Sequence, residues 1–148
     1  MFNKKHILVV DDDERLGKLL KSFLYNKGYL VDSSLNTIDA RIKLENIIYD
    51  MIILDVMLPE ENGLTFAAAL RKKNTIPILM LSAMGDPEDK IKGLKIGVED
   101  YLAKPFEPEE LLLRINNILK SKLNINRDKH TIELGDCSIN TQRNLLLY

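Results

Sequence analysis

Residues 7–13 read ILVVDDD, in which four apolar residues are followed directly by three acids. Three of the four apolar residues are β-branched and the run is too short for a helix, so Ile7–Val10 predicts a buried β-strand. Met51–Leu54 (MIIL) has the same character and is also followed by an acid, Asp55. The ends of buried strands are therefore the first places to look for functional side chains.

Outward from these two runs, short apolar segments alternate with longer stretches in which apolar residues recur at helical spacing. The pattern predicts strands at Ile7–Val10, Tyr29–Val31, Met51–Leu54, Ile78–Leu81 and Tyr101–Ala103. It predicts helices at 16–24, 40–48, 64–70, 89–96 and from Pro108 to about Lys122. Continuous apolar strands separated by helices predict an α/β fold, a doubly wound (βα)₅ unit with helices on both faces of a five-stranded parallel sheet.

The composition is that of an ordinary globular protein. The chain has 148 residues, of which 45% are hydrophobic and 29% charged, and 21 basic residues against 22 acidic ones leave a net charge of −1. This balance gives no overall field for nucleic acid or a membrane surface. A single cysteine, Cys137, excludes an intrachain disulfide. The N-terminus lacks the apolar run of a signal peptide, so we expect a cytoplasmic protein without a membrane partner.

The chain is predicted to contain more than one domain. Residues 1–122 form the α/β domain, and residues 123–129 (LNINRDK) carry the polar composition of a linker. Residues 130–148 contain three short β-like runs, HTIEL, CSIN and LLLY, separated by turn residues. This tail predicts the start of a second, β-rich unit.

Polar or charged side chains directly follow four of the predicted strands. These residues are Asp11, Asp12, Asp55, Ser82 and Lys104. In a parallel sheet all four strand ends lie on the edge where ligands bind. Each residue alone has an ordinary explanation as a turn or cap residue, and Asp13 in particular is predicted to cap the following helix. Their joint placement at one edge indicates a functional site.

The residue types fit phosphoryl transfer to a carboxylate. Three clustered aspartates repel one another and raise each other's pKa, a cost that a Mg²⁺ ion would remove. Asp55 could then attack a phosphoryl donor as a nucleophile and form an aspartyl phosphate. The Lys104 ammonium could neutralise charge on the transferring group, and the Ser82 hydroxyl could donate to a phosphoryl oxygen.

Four segments in order resemble the motifs of the response-regulator receiver family, across residues 4–122. They are ILVVDDD, IILDVMLPEENG, LMLSA and GVEDYLAKPF. The resemblance implies a flavodoxin-like (CheY-like) fold and a signalling switch of a two-component system rather than an enzyme. It implies that a sensor histidine kinase phosphorylates Asp55.

The same resemblance assigns roles to individual residues. It implies that Asp12, Asp55 and the backbone carbonyl of Met57 bind Mg²⁺, with Asp11 acting largely through water. It also implies that Lys104 contacts the phosphoryl group and is joined to Pro105 by a cis peptide bond. Ser82 would be the switch hydroxyl and Tyr101 its aromatic partner.

Within this family, the segment DKIKGLKIGVEDYLAKPFEPEELLLRI resembles the winged-helix OmpR/PhoB subfamily. That resemblance implies a homodimer in the phosphorylated state. Its interface would include Lys90, Asp100, Glu110 and Arg114. The tail resembles the opening β-sheet of the subfamily's DNA-binding domain, so we expect a truncated transcription regulator. DNA binding is expected only through the missing C-terminal domain.

Three other classes of protein share parts of this sequence pattern. A phosphatase of the haloacid-dehalogenase type would carry a second aspartate two residues after the nucleophile, where this chain has Met57. A flavodoxin-like cofactor binder would need a Gly-, Ser- or Thr-rich phosphate loop after the first strand, where this chain has DDDERL. A metal-independent pseudo-receiver normally lacks one of the acids or the lysine, and all of them are present.

Overall fold

The computed structural model describes residues 4–83 and 87–133, with side chains described through residue 121. The chain divides into two compact units, Met1–Ile115 and Asn116–Tyr148, and the sheet belongs to the first. The strands are β1 (Lys5–Val10), β2 (Tyr29–Ser34), β3 (Met51–Asp55), β4 (Ile78–Ala83) and β5 (Asp100–Lys104). The helices are α1 (Glu14–Asn26), α2 (Thr37–Asn46), α3 (Gly63–Arg71), α4 (Pro87–Ile96) and α5 (Pro108–Glu133).

All five strands are parallel, in the order β2-β1-β3-β4-β5. Strand β1 lies between β2 and β3, with Val10 opposite Leu54. Asp55 is opposite Leu81 on β4, and the last pair between β4 and β5 joins Ala83 to Lys104. The carboxyl ends of β1, β3, β4 and β5 therefore meet at one edge, which confirms the predicted (βα)₅ sheet.

Both faces of the sheet are covered. Alternate residues of β1 and β3, such as Leu8 and Ile52, join a core cluster with Phe66 and Ala67 of α3. The residues between them, such as Val9 and Ile53, are also fully buried. Because successive side chains of a strand point to opposite faces, these residues need a second layer. Helices α1 and α5 supply it with their buried residues Leu20, Leu24, Leu111 and Ile115.

The helix starts follow local chemistry. Asp13 caps α1 as predicted, because its carboxylate accepts hydrogen bonds from the backbone N–H groups of Arg15 and Leu16. Asn36 caps α2 by accepting from the N–H of Asp39 at 2.8 Å. Gly28, with φ +99°, stands just beyond the end of α1, where a left-handed residue is needed. The predicted cis bond between Lys104 and Pro105 is present.

The C-terminal part differs from the sequence-based boundaries. Helix α5 continues to Glu133, through the predicted linker 123–129 and into the first predicted β-like run. Residues 123–133 contain neither glycine nor proline, so nothing in the local sequence forces the helix to stop near Lys122. The remainder of the predicted β-rich tail, residues 134–148, lies outside the described residues. In the described part of the chain, no helix has an apolar stretch long enough to cross a membrane.

Candidate functional site

Three aspartates gather at the carboxyl edge of the sheet. Carboxylate oxygens of Asp11, Asp12 and Asp55 lie within 4.8 Å of one another, a spacing at which they could hold a metal ion. Asp11 is 2% exposed and Asp55 is 5% exposed, whereas Asp12 faces solvent. The acids predicted from two separate strand ends are therefore brought together.

The backbone around these acids fixes their orientation. The N–H of Asp11 donates to the carbonyl of Ser34 on β2, which extends the sheet pairing by one residue. The N–H of Asp13 donates to Oδ1 of Asp11 at 2.9 Å, and the N–H of Met57 donates to Oδ1 of Asp55 at 3.2 Å. In both acids, Oδ2 is the oxygen that faces the neighbouring strand ends.

Lys104 joins the two buried acids. Its Nζ lies 2.7 Å from Oδ2 of Asp11 and 3.2 Å from Oδ2 of Asp55. Burial alone would lower the pKa of Lys104, but its hydrogen bonds and charge attraction to Asp11 and Asp55 outweigh this effect and raise it. The lysine therefore stays protonated and forms a cationic bridge across the sheet edge.

Negative charge nevertheless predominates in the site. Burial raises the pKa of Asp55, and repulsion from Asp11 raises it further, against the opposing effects of Lys104 and the N–H of Met57. Three carboxylates face one ammonium group in this cluster. A hard divalent cation would compensate the remaining charge, and carboxylate oxygens are the ligands that Mg²⁺ prefers. The residues present thus fit such an ion.

Ser82 and Tyr101 lie on neighbouring strands beside the cluster. Ser82 is 3% exposed and pairs in register with Ala103 of β5. Tyr101 is 8% exposed, and its hydroxyl donates to the backbone carbonyl of Asp89 in α4. Both residues line an open cleft of about 340 Å³ between α4, β5 and α5. The aromatic ring is therefore already directed inward, beneath α4.

Gly63 and Gly93 allow close packing in this region, and the sequence patterns did not identify either of them as important. A Cβ on Gly63 would overlap the backbone of Asp55 and Val56, so only glycine lets α3 begin this close to the end of β3. A Cβ on Gly93 would overlap the ring and hydroxyl of Tyr101. A glycine in mid-helix, where it weakens helix formation, is the one sequence signal that could have indicated Gly93.

The four charged residues predicted for a dimer interface occupy one face. Arg114 donates to Asp100 at 2.8 Å and to Glu110 at 3.3 Å. Lys90 lines the same cleft as Glu110 and Arg114. The structure thus places these side chains together, with three of them already paired within one chain.

Comparison with known proteins agrees with this geometry. The model of the response regulator receiver domain family matches residues 7–116. The chain belongs to the response regulator receiver family. This receiver is 50% identical over 115 residues to protein PetR of Rhodobacter capsulatus, an alignment that covers 78% of this chain and 48% of PetR.

Other relatives lead to the same family. The receiver is 37% identical over 118 residues to the transcriptional regulatory protein ResD of Bacillus subtilis, covering 80% of this chain and 49% of ResD. Among solved structures, the receiver domain of Francisella response regulator 1452 superposes with a TM-score of 0.75 at 35% identity, covering 81% of this chain and 99% of that one. The receiver spans about half the length of the curated relatives it matches.

Proposed function

We propose that this receiver is a phosphorylation switch of a cytoplasmic two-component system. Asp55 accepts a phosphoryl group from a sensor histidine kinase in a Mg²⁺-dependent reaction, and the modified chain controls an attached DNA-binding domain. The observation that carries this proposal is the Lys104 ammonium held between two buried carboxylates, beside a third, at the strand ends of the sheet. The chain is a phosphoacceptor whose only chemistry is self-phosphotransfer and self-dephosphorylation.

The cation site is formed by residues from two strand ends. Asp12, Asp55 and the backbone carbonyl of Met57 would hold Mg²⁺, with Asp11 contributing through water. The bound ion would supply Lewis-acid neutralisation of the phosphoryl oxygens. Asp55 then provides the nucleophile, and Lys104 provides a second positive charge for the incoming oxygens.

The proposed transfer forms one bond to phosphorus and breaks another. A carboxylate oxygen of Asp55 forms the new O–P bond as the bond from phosphorus to the donor breaks. The electron pair of that bond leaves with the donor, which is the imidazole of a phosphohistidine or the acetate of acetyl phosphate. Lys104 would reduce the repulsion between the carboxylates and the incoming phosphoryl group, and a bound cation would supply further positive charge.

Phosphorylation would change the site's charge and its hydrogen-bond capacity. The phosphoryl group adds negative charge and three acceptor oxygens, so the Ser82 hydroxyl gains a partner. Movement of Ser82 alters the space beside Tyr101 on the neighbouring strand. The face formed by α4, β5 and α5, including Lys90, Asp100, Glu110 and Arg114, would then mediate homodimerisation. DNA binding would require the domain that follows the receiver.

Incubation of the chain with acetyl phosphate and Mg²⁺, followed by intact mass measurement, tests the core of the proposal. We expect a mass increase of one phosphoryl group in the wild type, and no increase in Asp55→Asn or when EDTA is added. Asp50→Asn, an acid remote from the cluster, should behave as the wild type.

Two results would contradict the proposal. Phosphorylation that persists in Asp55→Asn would place the phosphoacceptor elsewhere. A wild-type chain that takes up no phosphoryl group at millimolar Mg²⁺ would favour the metal-independent pseudo-receiver, despite the full set of acids and the lysine.

A further inference from the structure

The loop between β3 and α3, residues 56–62, connects the proposed phosphoacceptor to the rest of the molecule. Its start is held by the N–H of Val56, which donates to the carbonyl of Leu81 at 2.9 Å. Its end is held by the N–H of Gly63, which donates to the carbonyl of Val56 at 2.8 Å. Met57, whose carbonyl is a proposed cation ligand, lies between these two anchors. The position of that carbonyl therefore depends on how the loop is held.

Glu61 fastens this loop to α2. Both carboxylate oxygens of Glu61 accept from the Arg41 guanidinium, at 2.6 and 3.0 Å. The Thr37 hydroxyl donates to Oε1 of Glu61 at 2.7 Å. The hydrogen bonds from Arg41 lower the pKa of Glu61, so it remains ionised through the neutral range. Bidentate pairing with a planar guanidinium fixes the direction of the carboxylate as well as its distance.

The partners of Glu61 are themselves held in place. Thr37 is buried and occupies the first position of α2, where a carboxylate is also favoured by the helix dipole. The Arg41 guanidinium lies 4.8 Å from the ring centroid of Phe66, a buried residue of α3. We call Thr37, Arg41 and Glu61 the α2 clamp. Through this clamp the loop is joined to two helices.

We propose that Glu61 is a positioning residue for the cation site. By tying the loop to α2, the clamp holds the Met57 carbonyl at the edge of the acidic cluster, and this inference rests on the proposed function. An exposed ion pair with only a structural role would affect stability slightly and leave the cation affinity unchanged. A positioning role predicts weaker binding of Mg²⁺, because a loosened loop no longer presents a preorganised ligand.

The chain offers a matched control for the test. Glu60 is the neighbouring residue and carries the same charge, but it is exposed and outside the α2 clamp. Glu60→Gln and Glu61→Gln therefore remove the same charge from the same loop, and only the second breaks the bidentate ion pair with Arg41. Calorimetric titration of each unphosphorylated chain with MgCl₂ gives the dissociation constant directly. Circular dichroism before titration verifies that both variants are folded.

We expect Glu61→Gln to weaken Mg²⁺ binding about 10-fold, at the lower end of the effects seen for residues that support metal ligands. Glu60→Gln should stay within about twofold of the wild type, since its charge is screened by solvent. In acetyl phosphate reactions, Glu61→Gln should raise the Mg²⁺ concentration for half-maximal rate and leave the rate at saturating Mg²⁺ unchanged.

The possible failures can be told apart. Equal dissociation constants for Glu60→Gln and Glu61→Gln, with a functional wild type, would overturn the positioning role and leave the proposed function intact. A wild type that binds no Mg²⁺ and takes up no phosphoryl group would overturn both. A lower rate for Glu61→Gln even at saturating Mg²⁺ would also contradict the inference, because the effect would then lie outside cation binding.

Discussion

Asp55 combines two requirements that oppose each other. Its carboxylate has to be available as a nucleophile, yet it is buried beside a second carboxylate, Asp11. Burial and the neighbouring charge both raise the pKa of Asp55, which means that ionising it costs more in the folded chain than in the unfolded chain. The site therefore retains a charge arrangement that disfavours folding in the absence of a cation, as functional sites often do.

Replacing Asp55 by asparagine should accordingly stabilise the metal-free protein. We expect the free energy of unfolding to rise by about 1 kcal/mol at neutral pH, measured by urea denaturation in EDTA. For an acid whose folded pKa is raised, the destabilisation is absent below the unfolded value near 3.8, develops as pH rises above that value and is complete above the folded one. The difference between Asp55→Asn and wild type should therefore grow as pH rises above about 4 and become constant above the folded pKa.

Asp39 provides a contrast of opposite sign. Its carboxylate lies 2.7 Å from Nζ of Lys43, and that hydrogen bond, with one from Ser34, lowers its pKa. Its contribution to stability is present above the unfolded pKa and is lost as pH falls through the folded one. Asp39→Asn should therefore lower stability at neutral pH, though only slightly because the pair is partly exposed to solvent. Stabilisation by Asp39→Asn, or destabilisation by Asp55→Asn, would contradict this account.

At the scale of elements, sequence patterns predicted what depends on neighbours along the chain. The five strands begin and end within a few residues of their predicted limits, because short β-branched runs favour strands directly. Asp13 was recognisable as the cap of α1 for the same local reason. The end of α5 was predicted too early, near Lys122, although residues 123–133 contain no glycine or proline that would stop the helix there. Local chemistry thus indicated helix ends where a capping side chain or a glycine stands at the boundary.

Sequence patterns could not predict contacts between elements that are distant along the chain. Gly93 shows this clearly, because the need for glycine arises only where α4 crosses the Tyr101 ring. The Tyr101 hydroxyl donates to Asp89 one turn earlier in α4. Helix α4 and the aromatic ring of β5 therefore form one packed unit, and the absence of a Cβ at position 93 lets the ring lie inward.

Gly93→Ala should move Tyr101 outward. The added methyl group overlaps the far end of a side chain that can rotate, so expulsion of the ring is easier than distortion of the helix. We expect Tyr101 to become several-fold more reactive toward nitration by tetranitromethane. Peptide mass spectrometry would measure this, with the exposed Tyr25 as internal reference.

Gly17→Ala is the matched control for that substitution. Gly17 is also a buried helical glycine, but a Cβ there would meet Ser33 Cβ at 3.4 Å, an ordinary contact. Tyr101 nitration should be unchanged in Gly17→Ala. If Gly93→Ala, with its helix content retained, left Tyr101 as protected as in the wild type, the proposed dependence of the inward ring on Gly93 would be wrong.

At the scale of the whole molecule, the candidate site was predictable because the parallel sheet converts sequence position into spatial position. Residues that directly follow parallel strands lie at one edge, so Asp11, Asp55 and Lys104 could be grouped on the condition that β1 is a central strand, which the order β2-β1-β3-β4-β5 meets. The α2 clamp could not be found in this way. Glu61 and Arg41 lie in a loop and in mid-helix, and only the packing of α2 beside that loop brings them together.

The α4–β5–α5 face, which is the proposed dimer interface, carries both charged and apolar side chains. Arg114 is already paired with Asp100 and Glu110 in one chain, so charge pairs across a dimer would replace existing ones and add little free energy. Exposed apolar residues lie on the two helices of this face, namely Ile91, Leu94 and Leu113. Burial of their apolar surface is the larger available driving force for association.

The proposed dimerisation of the phosphorylated receiver should therefore depend more on apolar contacts than on charge pairs. We expect Ile91→Glu to keep the acetyl phosphate-treated chain monomeric in size-exclusion chromatography, while intact mass shows normal phosphorylation of Asp55. Ile38→Glu on α2 is the control, because Ile38 is 57% exposed against 54% for Ile91 but lies on another face. That variant should dimerise as the wild type does. Equal loss of the dimer in both variants would indicate a nonspecific effect of charge, and full dimerisation of Ile91→Glu would move the interface away from α4.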